Sequence, residues 1–270
     1  MSLNLERISE YKRRWSTARE LMLGPATDLM LDLAVGANMT VLDVAAGTGD
    51  QTFHAARRVG PDGRVLATDI ADEALQFAAS KARDRGMHNV EFRVMPCEGL
   101  TESDATFDAV ICRNGLQYVS DLTKGLAEVY RVLKTGGKLS VVVWSSPERN
   151  RFLSQSFAIA YRKLNIRPPH ADEPWPFRFG QDTALKSALE GARFREVDVA
   201  AVSAPAVFTS VNDALAFQQL GAVELLRIID RLSEADKASL WREIEEGLRV
   251  FEHDGSFRAE GELFVASGTK

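Results

Sequence analysis

A chain of 270 residues, 45% apolar and 26% charged, has the composition of an ordinary globular protein and the length for one large domain or a domain with a substantial insert. Its net charge of −5 gives no overall basic footprint for nucleic acid; "YKRRW" at 11–15 is the sole local candidate, and its plainer reading is a solvated helix face. Two cysteines, Cys97 and Cys112, form no CxxC pair, and four scattered histidines supply no zinc spacing, so no metal site is expected.

The start shows no apolar run that would serve as a signal peptide, and no segment reaches the length of a membrane span. A cytoplasmic location is therefore expected, with a small-molecule partner, no nucleic acid and no membrane span. A homodimer is left open.

The first forty residues read as helical, with "ARELMLGPATDLMLDLA" carrying helical apolar spacing interrupted at Gly24-Pro25. Strands and helices then alternate. "TVLDVA" is a strand, "QTFHAARRVG" a helix stopped by Gly60 and Pro61, and "RVLATDI" a second strand. Asp72 is placed to cap the helix that ends at Gly86. "VEFRVM" and "FDAVICR" give strands three and four. Ser120 or Asp121 opens a helix with Leu122, Leu126, Val129 and Leu133 on one face, ended by Gly136-Gly137, before the fifth strand "KLSVVVW". Continuous apolar strands alternating with amphipathic helices predict an α/β fold with a doubly wound, mostly parallel sheet covered on both faces.

The second half differs. "RFLSQSFAIAYRKLN" reads as a helix, "RPPHADEPWPFRFG" as a proline-rich loop, "DTALKSALEGA" as a short helix and "FREVDVAAVS" as a sixth strand. Residues 210–251 read as mostly helical, with Ser233 and Asp236 forming an N-cap pattern. "GELFVASG" closes the chain as a seventh strand. The expected organisation is a single domain: an N-terminal helical cap over 1–38, a ligand-binding core over 41–145, a substrate-side loop, helix and strand over 146–203, a helical insert over 204–258 and a final strand over 259–270.

The chemistry is carried by "VLDVAAGTGD", residues 41–50. In an open α/β sheet, ligands bind beyond the carboxyl ends of the strands where strand order switches. The dinucleotide fingerprint G-x-G-x-x-G fits neither from Gly47, which gives Gly47, Gly49 and Thr52, nor from Ala45, which gives Ala45, Gly47 and Asp50. Asp50 beside the helix start would repel a pyrophosphate and would tolerate a ligand ammonium group.

These residues resemble the first motif of class I S-adenosylmethionine-dependent methyltransferases, through Asp43, Ala45, Gly47 and Gly49, with Ala45 replacing the first glycine. "VLATDI" matches the second-strand motif, "MPCEGL…FDAVICRNGLQYVSD" resembles the corresponding stretch of quinone-biosynthesis C-methyltransferases, and "EVYRVLKTGGKLSVVVW" resembles the fifth-strand motif. The similarity covers roughly Val41 to Trp144, four motifs in order. It implies a Rossmann-like methyltransferase fold and S-adenosylmethionine as cofactor, with S-adenosylhomocysteine as product.

Carried over residue by residue, the resemblance implies that Gly47 and Gly49, with Ala45, Ala46 and Thr48 of the same loop, let the backbone approach the cofactor. Asp43 would orient the loop and reach the ammonium through water, Asp69 would take both ribose hydroxyls and Ile70 would cover the adenine. Pro96 stands where relatives carry the acid that accepts the adenine amino group; Cys97 would offer its backbone N–H, and Glu98 would take the amino group. Arg113 would give its backbone carbonyl to the ammonium, with Asn114 and Gln117 facing cofactor or substrate. Tyr118, Trp15, His170 and Trp175 are candidates for the acceptor side, each with a plainer alternative: loop or core for Tyr118, packing for Trp15 and Trp175, solvent exposure for His170.

No acid–base pair stands in a compelling place, so no catalytic residue is assigned. The expected activity is metal-independent methyl transfer to a small, largely apolar acceptor such as a phenol or quinol, on oxygen or carbon, driven mainly by proximity and desolvation. The alternative is a repurposed member that keeps the cofactor and binds a ligand or catalyses another reaction.

Overall fold

The computed structural model describes residues 5–170, 172–230 and 232–270. Residues 1–4 of the expected cap, Ala171 of the proline-rich loop and Arg231 of the insert lie outside them.

Two helices lead the chain, α1 (Leu5–Arg14) and α2 (Ser16–Ala34). A sheet follows with its crossing helices: β1 (Thr40–Val44), α3 (Asp50–Val59), β2 (Arg64–Asp69), α4 (Asp72–Asp84), β3 (Val90–Val94), β4 (Phe107–Arg113), α5 (Leu122–Val132) and β5 (Leu133–Trp144). Next come α6 (Arg151–Leu164), α7 (Asp182–Gly191), β6 (Arg195–Ser203), β7 (Ala206–Phe208), α8 (Val211–Gly221), α9 (Val223–Ile229), α10 (Glu234–Leu248), β8 (Glu252–His253), β9 (Ser256–Ala259) and β10 (Glu262–Thr269).

The main sheet has seven strands in the order β3-β2-β1-β4-β5-β10-β6. β1 pairs in parallel with β2 on one side and β4 on the other, so strand order reverses between β1 and β4. The loop after β1 therefore opens at the switch point. β10 is antiparallel to both β5 and β6. Val41 and Leu42 of β1, Ala109 to Ile111 of β4 and Val141 to Val143 of β5 are fully buried, as near-continuous apolar strands between two helical layers require.

Three expectations need correction. First, α2 runs unbroken through Gly24-Pro25. Pro25 lies on the exposed side, as does Leu21, whose carbonyl it leaves without an N–H partner. Gly24 before it has no Cβ to clash with the proline ring. The opposite stripe, Ala18, Met22, Ala26, Met30 and Ala34, is buried at i, i+4 spacing. Second, Asp72 does not cap α4: Ala71 is the cap residue and has no side-chain acceptor to offer the helix, while Asp72 accepts from Gln76 Nε2 one turn on. Third, α5 stops at Val132, and residues 133–137 join β5, because Leu133 pairs with Phe107 of β4.

The expected insert contains its three helices and also a small sheet, order β7-β9-β8, that periodicity did not foretell. Phe208 and Phe257 from that sheet pack with Trp15 of the α1–α2 junction, Phe152 of α6 and Phe217 of α8 in one aromatic cluster. This cluster ties the N-terminal helices to the insert.

Candidate active site

The loop after β1 departs from ordinary backbone at three positions: φ is +55° at Ala45, +55° at Gly47 and +82° at Gly49. Gly47 faces open space where a Cβ would stand. Gly49 is the N-cap of α3, and a Cβ there would meet Phe53 and Ala78 at 2.9–3.0 Å. The two glycines thus serve different needs, an open approach at the first and helix packing at the second. Ala46 lies buried beside them, its N–H on the Thr68 carbonyl.

Asp43 is completely buried at the end of β1. Its Oδ1 accepts from Gln51 Nε2 at 3.1 Å and its Oδ2 from Thr52 Oγ1 at 2.5 Å. Gln51 also reaches the Ala46 carbonyl, so one carboxylate fixes the loop to the first turn of α3. Burial pushes the Asp43 carboxyl up to about 7, against the pull of the Thr52 and Gln51 bonds.

Asp69 ends β2 and spans two backbone donors: Oδ2 accepts from Gly47 N–H at 2.8 Å, Oδ1 from Ala71 N–H at 2.9 Å. An ionised carboxylate keeps further lone pairs for other donors. Ile70 next to it stands 73% exposed and Val94, at the end of β3, 54%. Two large apolar side chains thus face solvent beside the carboxylate.

Cys97 is buried in a single 3-10 turn, and burial pushes its thiol up to about 12, which removes it as a nucleophile. Glu98 turns away from the glycine loop: its Oε1 accepts from the backbone N–H of Ser120 and Asp121. That oxygen clamps the 120–121 turn rather than standing free.

After β4 the chain turns through Asn114, φ +54°, into a 3-10 turn over Leu116–Tyr118. Gln117 is fully buried, with Nε2 3.4 Å from Asn114 Oδ1, and its Oε1 has no partner among the described residues. Burial raises the Tyr118 hydroxyl above its ordinary range. The proline-rich loop docks on this turn through Arg178 Nη1, which donates to the Val119 carbonyl at 2.6 Å. Trp175 in that loop packs edge-on to Phe177, and its Nε1 is buried without a partner among the described residues. His170 is exposed, on a turn where Glu173 accepts its backbone N–H. Trp15 is 6% exposed in the aromatic cluster, apart from the glycine loop's immediate contacts, and packs as core.

Asp50 and the basic stretch both require correction. Asp50 does not stand free at the helix start: its Oδ1 meets Lys12 Nζ at 2.5 Å, its Oδ2 pairs with Arg19, and Arg113 lies at 3.8 Å. Burial opposes ionisation, and Arg19 and Lys12 overcome it, holding the carboxyl well below its usual range. Lys12, expected on a solvated face, instead donates to the Thr48 carbonyl at 3.1 Å as well. Burial lowers its ammonium to about 8 despite Asp50. The Arg113 side chain passes Asp50 at the start of α3 and donates to Thr27 Oγ1 on α2, at 2.9 Å. Arg19, Thr27, Gln51 and Thr52 were missed by sequence reasoning; only the polar start of α3 gave a signal, for the last two.

No helix among the described residues is long and apolar enough to cross a membrane. No group of three or more His, Cys, Asp or Glu among them is disposed to hold a metal ion.

The model of the ubiE/COQ5 methyltransferase family matches residues 26–167. The ubiquinone/menaquinone biosynthesis C-methyltransferase UbiE of Marinomonas sp. is 43% identical over 124 residues, 46% of this chain and 49% of that protein. Its counterpart from Idiomarina loihiensis is 42% identical over 174 residues, 59% of this chain and 68% of that protein. The match thus spans about half the length of the first relative. The crystal structure of the YcgJ protein from Bacillus subtilis superposes with a TM-score of 0.62 at 18% identity, covering 92% of this chain and 98% of that one, a likeness of fold.

Proposed function

We propose that this chain, which belongs to the ubiE/COQ5 methyltransferase family, transfers a methyl group from S-adenosylmethionine to a small, largely apolar acceptor of the quinol type. The observation that carries the reading is the join between Gly47 and Asp69. A left-handed glycine with open space above it donates its N–H to a carboxylate whose remaining lone pairs suit a ribose diol. Ile70, apolar and exposed beside Asp69, suits the face of an adenine ring. The residues fit the nucleoside.

In this reading Ala45, Ala46, Gly47, Thr48 and Gly49 line the methionine and ribose portion. Asp43 acts behind them, through Gln51 and Thr52, by holding the loop to α3. Cys97 offers its backbone N–H, and Arg113 and Asn114 their backbone at the end of β4. Glu98 contributes through the 120–121 turn it clamps. The sulfonium supplies an already activated methyl group, so the chain's work is alignment and exclusion of water, with no metal required.

In this reading the acceptor binds against the Gln117–Tyr118 turn, the loop carrying Trp175, which Arg178 docks on that turn, and the insert over 204–258. The unpartnered Gln117 Oε1 is an acceptor suited to the O–H of a quinol hydroxyl, and the unpartnered Trp175 Nε1 is a donor suited to a quinol hydroxyl oxygen. The names of the Marinomonas and Idiomarina relatives, C-methyltransferases of ubiquinone and menaquinone biosynthesis, point to a ring carbon as the methylated atom.

The test is calorimetric titration with S-adenosylmethionine and S-adenosylhomocysteine, followed by labelled-methyl uptake into hydroquinones. Micromolar binding of either nucleoside with label on ring carbon is the expected result. Binding without uptake by any quinol would turn the reading toward a repurposed member, and absence of binding in protein stripped of carried-over nucleoside would overturn it.

A further inference from the structure

A large cleft lies apart from the open space above Gly47. It has a volume of about 1030 Å³ and is bounded by α1 and α2 on one side and α3 and α4 on the other. Of the proposed cofactor residues only Arg113 reaches it, through its side chain. Its lining is strongly segregated in charge. Lys12, Arg13 and Arg19 enter from α1–α2, Arg57 from α3, Lys81 and Arg85 from the α4 side, and Arg113 from the end of β4; Glu20 and Asp50 are the acids. Seven cations against two carboxylates line one cleft of a protein whose net charge is −5.

The internal pairing does not balance this charge. Lys12, Arg19 and Arg113 share the single carboxylate of Asp50, and their side chains are only 12–17% exposed. Arg13 and Arg57 make no ion pair with any described residue, and both are exposed. Like charges held together in a partly dehydrated cleft repel one another more than they would in water, and an entering anion relieves that repulsion. The walls also carry aromatic faces: Arg85 lies 4.6 Å from the ring centre of Phe53, and Lys12 and Lys81 lie 5.3 and 5.6 Å from that of Phe77. The rings hold the cationic heads in place.

We propose that this cleft is a binding site for a soluble phosphate ester or diphosphate, separate from the methyl-donor site. Arginine forks and two lysines at several depths suit a group with many acceptor oxygens and more than one negative charge. The cavity's volume is that of a whole small-molecule ligand. A soluble ligand is favoured over a membrane surface because the Lys12, Arg19 and Arg113 charges are recessed, where a flat bilayer does not reach them.

The test uses the full chain with inorganic pyrophosphate as probe, titrated at fixed ionic strength with sodium sulfate as control. Arg13→Ala/Arg57→Ala is the variant, because both side chains are exposed and unpaired, so the fold is retained. The expected result is saturable binding of pyrophosphate at one site, weakened at least tenfold in the double variant, with S-adenosylhomocysteine affinity unchanged. Three results would overturn the proposal: no saturable binding, equal affinity for sulfate and pyrophosphate, or binding indifferent to the double variant. Vesicles of phosphatidylglycerol that bind the wild type but not the variant, without pyrophosphate binding, would also overturn it in favour of a lipid surface.

Discussion

A Cβ built on Gly115 would stand 2.3 Å from the Cβ of Ala45 and 3.0 Å from Cys112 Sγ. The loop after β1 and the loop after β4 therefore touch with no room for one more carbon. Gly115→Ala is expected to force them apart, at a cost of about 1–3 kcal/mol of stability and with weakened binding of S-adenosylhomocysteine. Ala45→Gly in the same chain removes one side of the clash and is expected to restore part of both losses. Urea unfolding and calorimetry of the two single variants and the double variant check this. Additive effects would mean that the two loops do not act on each other.

Ala45 has a conformation ordinarily given to glycine, φ +55°. Ala45→Gly alone relieves a strain of about 1–2 kcal/mol while adding about 0.5–1 kcal/mol of unfolded-state entropy. The net expectation is a stabilisation of about 0.5–1 kcal/mol, read from the urea midpoint.

Asp69→Ala removes the acceptor for Gly47 N–H and Ala71 N–H together with the proposed ribose ligand. The loss of charge-assisted hydrogen bonds, about 1.5–3 kcal/mol, corresponds to a roughly 10- to 150-fold weaker S-adenosylhomocysteine complex. Circular dichroism should remain that of the parent. Undiminished affinity would take Asp69 out of the site.

Asp43 sets a pH dependence. Its carboxyl is raised in the folded protein to about 7 from an ordinary value of 3.8, so between those values the folded state holds the proton more tightly than the unfolded state. The contribution of this group to stability is therefore full below about pH 4, declines as pH rises and levels off above about pH 7. Asp43→Asn keeps the shape without the titration. The difference in unfolding free energy, wild type minus variant, is expected to fall by a few kcal/mol between about pH 4.5 and 7.5, at roughly 1.4 kcal/mol for each pH unit crossed. A flat difference would mean that Asp43 titrates normally.

Pro25→Ala tests why α2 tolerates its proline. The substitution returns an N–H to the Leu21 carbonyl on the exposed face. Proline within a helix is about 3 kcal/mol worse than alanine, offset by about 0.4–1 kcal/mol of unfolded-chain stiffness. A gain of about 1–2 kcal/mol is expected in urea unfolding, smaller than the full propensity because a carbonyl on an exposed helix face is open to solvation.

The strands, their parallel arrangement and the glycine loop were legible in the sequence because each is written locally. Buried parallel strands need unbroken apolar runs, and the loop needs left-handed positions within five residues of one another. The strand that ends at Asp69 was legible for the same reason, whereas the role expected of Asp69 came from the resemblance of "VLATDI" to the second-strand motif. The reach of Glu98 to the 120–121 turn was not legible, because its partners are 22 and 23 residues away and are backbone groups with no sequence signature.

By itself, then, the sequence determined the alternation of elements, the position of the switch-point loop and the residues that border it, since hydrogen bonding and burial over a few residues dictate them. The tertiary structure alone decided the rest. It ran α2 through Gly24-Pro25 because that proline falls on the solvent side. It joined β7 to the β8–β9 hairpin in a second sheet, pairing residues some fifty positions apart. It also gathered Lys12, Arg19 and Arg113 onto Asp50 from 31 to 63 residues away. Charges so distant in sequence meet only when helices pack, and packing is settled by the summed burial of whole faces, which no local pattern of residues contains.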